Sequence, residues 1–234
     1  IDELVMKTAL YANNGGKFDV SLQITIPNEW TKMAPVNIGY TAGIETTQVS
    51  PQWIEKSRLM DRIIVVSEHS KNVYESTVYE ARNRQNGEIL DFKCETPIDV
   101  VPFNFKKTKP DSNFKFELDY DFNYLTVSQW STRKNLENTI KWFLEECYDQ
   151  EVGLVVKASM TGNSIPDRYA TVNRLTELVS NFDMSNKNLT RKCKVYLLHG
   201  DLTEGQIQAL YKHPKIKCYV SLAHGEGFGL PLFE

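Results

Sequence analysis

Apolar and polar positions along this chain fall into two alternating patterns. Short, nearly continuous apolar runs of strand length are followed by stretches whose apolar residues recur at helical spacing. In the first part the strand runs are FDVSLQITI (18–26), VNIGYTA (36–42), RIIVVS (62–67) and IDVV (98–101). PQWIEKSRLM (51–60) and HSKNVYESTVYEA (69–81) carry the helical spacing between them, and Ser67 suits the N-cap of the second. Residues 103–123 are charged and aperiodic, with Pro110 in their middle, and read as a linker or crossover.

The second part is more regular. Strand runs YLTVSQW (124–130), VGLVVKAS (152–159), KVYLLHG (194–200) and CYVSLA (218–223) alternate with helical stretches at 135–149, 167–182 and 203–213, and LPLFE (230–234) opens a further helix. Such an alternation predicts an α/β fold with mostly parallel, doubly wound sheets. The continuous apolar runs fit strands covered on both faces. Two lobes follow, 1–104 and 105–234. The first is short for a doubly wound domain, the chain opens on Ile1 rather than methionine, and it closes inside a predicted helix. Both lobes are therefore expected to be truncated.

Composition narrows the class. A chain of 234 residues, 41% hydrophobic, can bury a core. Its 30 acidic and 27 basic residues give a net charge of −3, without the basic excess of a nucleic-acid binder. No apolar run approaches the ~20 residues that span a bilayer. Cys94, Cys147, Cys193 and Cys218 are scattered, with neither a C-x-x-C pair nor metal-ligand spacing, and read as reduced thiols of a cytoplasmic protein.

The chemistry concentrates in HGEGFGLPLFE, residues 224–234. In parallel α/β sheets ligands sit at the carboxyl ends of strands, where loops lead into helices. Gly227 and Gly229 permit close backbone approach, and Leu230-Pro231 suits a helix start. Free N–H groups at such a junction favour an anion such as phosphate. Glu226 and Glu234 stand on either side of the turn, and carboxylates accept hydrogen bonds from vicinal diols. A ligand with a phosphate between two hydroxyl-rich groups fits, and a nucleotide sugar is one. On the residues alone, a tight turn with a solvated Glu226 stays open beside it. GEGFGL is not G-x-G-x-x-G, since Leu230 occupies the third glycine position, and no P-loop sequence occurs.

EGFGLPLFE (226–234), behind a strand and the His224-Gly225 pair, resembles the E-x7-E motif of retaining glycosyltransferases of the GT-B fold, glycosyltransferase family 4 in particular. The resemblance implies two Rossmann-like lobes, an acceptor-side one over 1–104 and a donor-binding one over 105–234. It places Glu226 at the transferred sugar and Glu234 at the ribose. The Gly227, Phe228, Gly229 and Leu230 backbone then lines the sugar and diphosphate. LTVSQWSTRKNLENTIKWF (125–143) is similar to the strand, loop and helix that open the family's donor lobe. By that likeness Lys134, with Arg133, faces the diphosphate, and Glu226 and Lys134 carry catalysis. Gln129 stands where many members have an arginine. HGDLTEGQIQALY (199–211) is similar to the segment near the base, which points to His199 and Gly200. PVNIGYTAGIETT (35–47) matches a first-lobe segment where relatives place a histidine; this chain has none there, and Glu45 is the nearest acceptor-side candidate.

The expected activity is transfer of a sugar from a donor such as a UDP- or GDP-sugar to a hydroxyl of a glycan, lipid-linked or other acceptor. The resemblance implies retention of configuration with no cofactor and no metal. The one D-x-D, Asp119-Tyr120-Asp121, lies among aromatics in the crossover and reads as structural. No nucleic-acid partner and no transmembrane segment are expected, while peripheral membrane contact stays open. The alternative is a non-catalytic module that binds a nucleotide sugar or glycan, favoured by Gln129 and the missing histidine.

Overall fold

The computed structural model describes residues 2–82, 87–104, 107–186 and 189–233, and the chain divides into two compact units. One comprises Ile1–Asn104 with Glu226–Phe228, the other Phe105–Gly225 with Gly229–Glu234.

The first unit runs α1 (Asp2–Asn13), β1 (Val20–Ile24), β2 (Val36–Tyr40), α2 (Pro51–Ser57), β3 (Arg62–Val65), α3 (Glu68–Ser76), β4 (Val78–Arg82), β5 (Ile89–Lys93) and β6 (Ile98–Val100). Four of these strands form a parallel sheet in the order β1-β2-β3-β6. Its core gathers Trp30, Ile54, Ile63, Val65 and Tyr74. Ser50 and Ser67 cap α2 and α3 by accepting from the amides of Trp53 and Ser70.

The expected helix over 69–81 ends early. Thr77 adopts extended backbone and its hydroxyl donates to the Val73 carbonyl at 2.6 Å, closing α3 at Ser76. The chain turns at once into β4, which pairs antiparallel with β5 and forms a separate two-stranded sheet. The helix α1, at the start of the chain, was not read from the sequence; it buries none of its residues.

The second unit runs β7 (Asn123–Gln129), α4 (Leu136–Cys147), β8 (Gly153–Ser159), α5 (Ile165–Ser185), β9 (Lys194–Leu198), α6 (Glu204–Tyr211) and β10 (Ile216–Tyr219). All four strands are parallel, in the order β10-β7-β8-β9. Successive strand residues face opposite sides. Leu154 and Val156 accordingly pack with Leu136, Ile140 and Leu144 of α4 and Leu175 of α5, while Val155 packs with Leu118, Leu125 and Leu210 of α6.

The crossover, 103–123, has no helix or long strand among its described residues, yet it is no free tether. Leu118 is buried, and Phe114 and Phe116 pack on the α6-side core. Its acidic pair is held by neighbours: Asp119 accepts from Tyr196 at 2.7 Å and meets Lys194 at 3.0 Å, and Asp121 meets Lys215 at 3.2 Å. Two expectations shift at the carboxyl end. The last strand lies at 216–219 rather than 218–223, and Leu230–Leu232 form a 3-10 turn where a longer helix was expected.

Candidate functional site

The strand order sets where a ligand can sit. From β7 the chain steps outward to β8 and β9, then returns to the other side of β7 to lay down β10. This reversal is a topological switch point, and the crevice beyond the carboxyl ends of β7 and β10 is the binding position in such sheets. The loops leaving those two strands are 130–135 and 220–229.

Hydrogen bonds lace these loops together. His224 N donates to Arg133 O at 2.9 Å, and Arg133 Nη1 donates to Gly225 O at 2.9 Å. Asn135 Nδ2 donates to Leu222 O at 3.0 Å. Asn135 is buried, holds a left-handed φ of 53°, and is the N-cap of α4 without making a side-chain cap bond. Asparagine tolerates that conformation, and its amide is left to bridge the loops. The structure thus brings Arg133, and Lys134 beside it in the chain, against the His224-Gly225 segment. Lys134 is half-buried, and its amide donates to Ser131 Oγ at 3.4 Å.

A cavity of about 510 Å³ opens here, lined among others by Trp130, Ser131, Asn135, Met160, Arg174 and His224. Glu137 also lines it, and its carboxyl is held below its ordinary range by hydrogen bonds from Lys141 and Arg174. The Glu137 carboxylate on that wall is paired with both Lys141 and Arg174.

The other expected residues are distributed as follows. Gln129 ends β7, and its amide donates to Met160 O at 2.9 Å, so it braces the neighbouring loop. His199 follows β9; its Nε2 lies 2.8 Å from Asp167 Oδ2, and its ring is 6% exposed. The ring is therefore engaged by Asp167 and almost wholly buried. Gly200, with φ of 98°, needs to be glycine: a Cβ there would also lie 2.7 Å from Asn163 Oδ1. Gly229 has φ of 74°, and Leu230 begins the 3-10 turn.

Glu226, Gly227 and Phe228 group with the first unit. There the Phe228 ring meets Phe103 edge-on, centroids 5.5 Å apart, and a Cβ on Gly43 would lie 1.7 Å from the Gly227 carbonyl oxygen. Glu234 lies outside the described residues. Glu45 lines a separate cavity of about 630 Å³ in the first unit, beside Trp53 and Tyr79.

Asp167 escaped the sequence reading. It is buried, and its carboxyl is held far below the usual range, first by the His199 hydrogen bond and then by Thr161 and Met160, against the opposing effect of burial. Its signal was faint: Ser164-x-x-Asp167, a helix-start pattern in which Ser164 caps α5. Lys157, in register with Val127 and Leu198, is half-buried, and burial lowers its pKa against the pull of Asp201. Among the described residues no group of three or more His, Cys, Asp or Glu could hold a metal ion. Nor is any described helix long and apolar enough to cross a membrane.

With this geometry in hand, solved structures of like fold can be compared. The one described as "OtsA apo structure" superposes with a TM-score of 0.57 at 10% identity, over 89% of this chain and 53% of its own. "Trehalose-6-phosphate from E. coli bound with UDP-2-fluoro glucose" gives 0.56 at 11% identity, over 93% and 55%. "Crystal Structure of TarM" gives 0.50 at 17% identity, over 90% and 38%. The fold is GT-B. This chain spans about half the length of the first two, 53% and 55%. No protein-family model matches it, and no curated protein matches it in sequence.

Proposed function

We propose that the protein is a retaining glycosyltransferase that moves a hexosyl group from a nucleotide-sugar donor to an acceptor hydroxyl. The observation that carries this reading is the lacing of the Arg133-Lys134 loop to the His224-Gly225 segment across the switch point of a GT-B-type sheet. The UDP-2-fluoro glucose named in one structure of like fold supports a nucleotide sugar as donor.

The chemistry follows from charge. As the glycosidic bond to the diphosphate breaks, negative charge develops on the departing phosphate. Lys134 and Arg133, held before the reaction starts, stabilise that charge without reorganisation. Gly225, whose carbonyl fixes the Arg133 guanidinium, is followed directly by Glu226, which takes hydroxyls of the transferred sugar. Gly227, Phe228, Gly229 and Leu230 contribute main-chain contacts to sugar and diphosphate, and Glu234 takes the ribose diol. The His199-Gly200 turn borders the base through its backbone, and Glu45 lies on the acceptor side. Positioning and electrostatics supply the rate in this scheme, with no cofactor and no metal assigned a step.

The second reading, a non-catalytic binding module, draws on Gln129, which is uncharged and whose amide is occupied by Met160 O. Incubating the full chain with UDP- and GDP-sugars and following free nucleotide separates the two. The enzyme predicts release that Glu226→Gln and Lys134→Ala each reduce by at least about a hundredfold. Binding without release across donors and acceptors would leave the module.

A further inference from the structure

The second unit holds a buried carboxylate to which the proposed chemistry gives no role. Asp167, in the first turn of α5, has a side chain 4% exposed. A charge so placed is tolerated only when its lone pairs are filled. Oδ1 accepts from the Thr161 amide at 2.7 Å and the Thr161 hydroxyl at 2.9 Å. Oδ2 accepts from the Met160 amide at 3.1 Å and lies 2.8 Å from His199 Nε2. The Met160 carbonyl accepts in turn from Gln129. One chain of contacts thus runs from the end of β9, through α5 and the loop after β8, to the last residue of β7.

We propose that Asp167 and His199 are positioning residues for the nucleotide-sugar donor: through Met160 they fix the β8 side of the 510 Å³ cavity. This rests on the donor-binding reading above. A carboxylate and an imidazole at this distance also suggest an acid–base dyad. With side chains 4% and 6% exposed, and the carboxylate already engaged by Met160, Thr161, Thr171 and His199, no substrate atom can reach them. Their action is exerted through the loop.

Asp167→Asn keeps the shape and changes the hydrogen bonding. The Asn oxygen can retain both Thr161 donors, but its NH₂ then faces the Met160 amide and His199. His199 must move its proton from Nε2 to Nδ1 to accept, and the Met160 N–H loses its partner. Nitrogen-15 spectra of the full chain are therefore expected to show His199 protonated at Nε2 in the wild type and at Nδ1 in the variant, with faster amide exchange at Met160. With whichever of UDP-glucose, other UDP-sugars and GDP-sugars the wild type cleaves fastest as probe, and nucleotide release as readout, KM should rise about tenfold or more while kcat changes less than about threefold. His199→Gln, which keeps a donor on the ring's side, should hold KM nearer the wild-type value than His199→Leu.

An unchanged KM in Asp167→Asn, with wild-type turnover intact, overturns this inference and leaves the donor reading standing. So does a loss of rate at constant KM that merely follows a lowered melting temperature. A wild-type chain that neither binds nor cleaves any of the UDP- and GDP-sugars overturns the donor reading and the pair's role in it together. The tautomer and exchange shifts then show the tether alone.

Discussion

At the residue scale, Asn135 shows how one side chain can decide a loop. It combines a left-handed backbone, burial, and hydrogen bonds to Leu222 O and from Asn138 Nδ2. Asn135→Ala removes those bonds and keeps a Cβ in the left-handed region without the polar side chain that makes it tolerable there, an expected loss of about 2 kcal/mol. Asn135→Gly relieves the backbone but not the missing amide, and should lose less; urea unfolding of the two variants checks the order. The sequence offered R-K at a helix start, and the structure ties Arg133 to the His224-Gly225 segment. Asn135 itself could not be singled out, because its worth depends on Leu222, a contact that only the strand order creates. The same holds for Asp167, whose partners come from two other loops. The His199 ring meets a carboxylate that periodicity does not reveal.

Among the elements, regular helices and central strands were legible, and departures arose where local signals compete. β7, β8 and β9 stand close to where the pattern put them. α3 and β4 merged in the sequence because Val73, Tyr74 and Val78 continue a helical spacing that only the Thr77 backbone interrupts. The apolar pattern places the last strand late because Val220 and Leu222 extend the run. Beyond Tyr219 only the Val220 amide stays on the ladder, donating to Leu125 O at 2.8 Å, and the chain leaves to form the site loop. Caps fix helix starts more sharply than spacing does. Thr203 and Gln206 form a reciprocal capping box at the start of α6. Thr203→Ala is expected to lower stability by about 1 kcal/mol, read as a shift of the denaturation midpoint with unchanged slope.

For the whole chain, the α/β class and parallel sheets followed from alternation, and the GT-B fold entered through a motif of nine residues. The first unit was the less legible, since α1 and the β4–β5 pair lie outside the strand–helix alternation. In the second unit, the reversal that places β10 beside β7 has a further effect on how the protein is made. β7, β8 and β9 can zip together from neighbouring segments, whereas β10 must find β7 across most of the unit's sequence, and pairing over such separations is slow. The strand whose loop carries His224 and Gly225 thus joins an already assembled sheet, and it is expected to be the first to come away. Native-state hydrogen exchange should release the β10 amides at lower opening free energy than those of β8, which is flanked on both sides. Equal protection of the two strands would refute that order. A nascent chain would then acquire its ligand crevice as one of its last acts of folding.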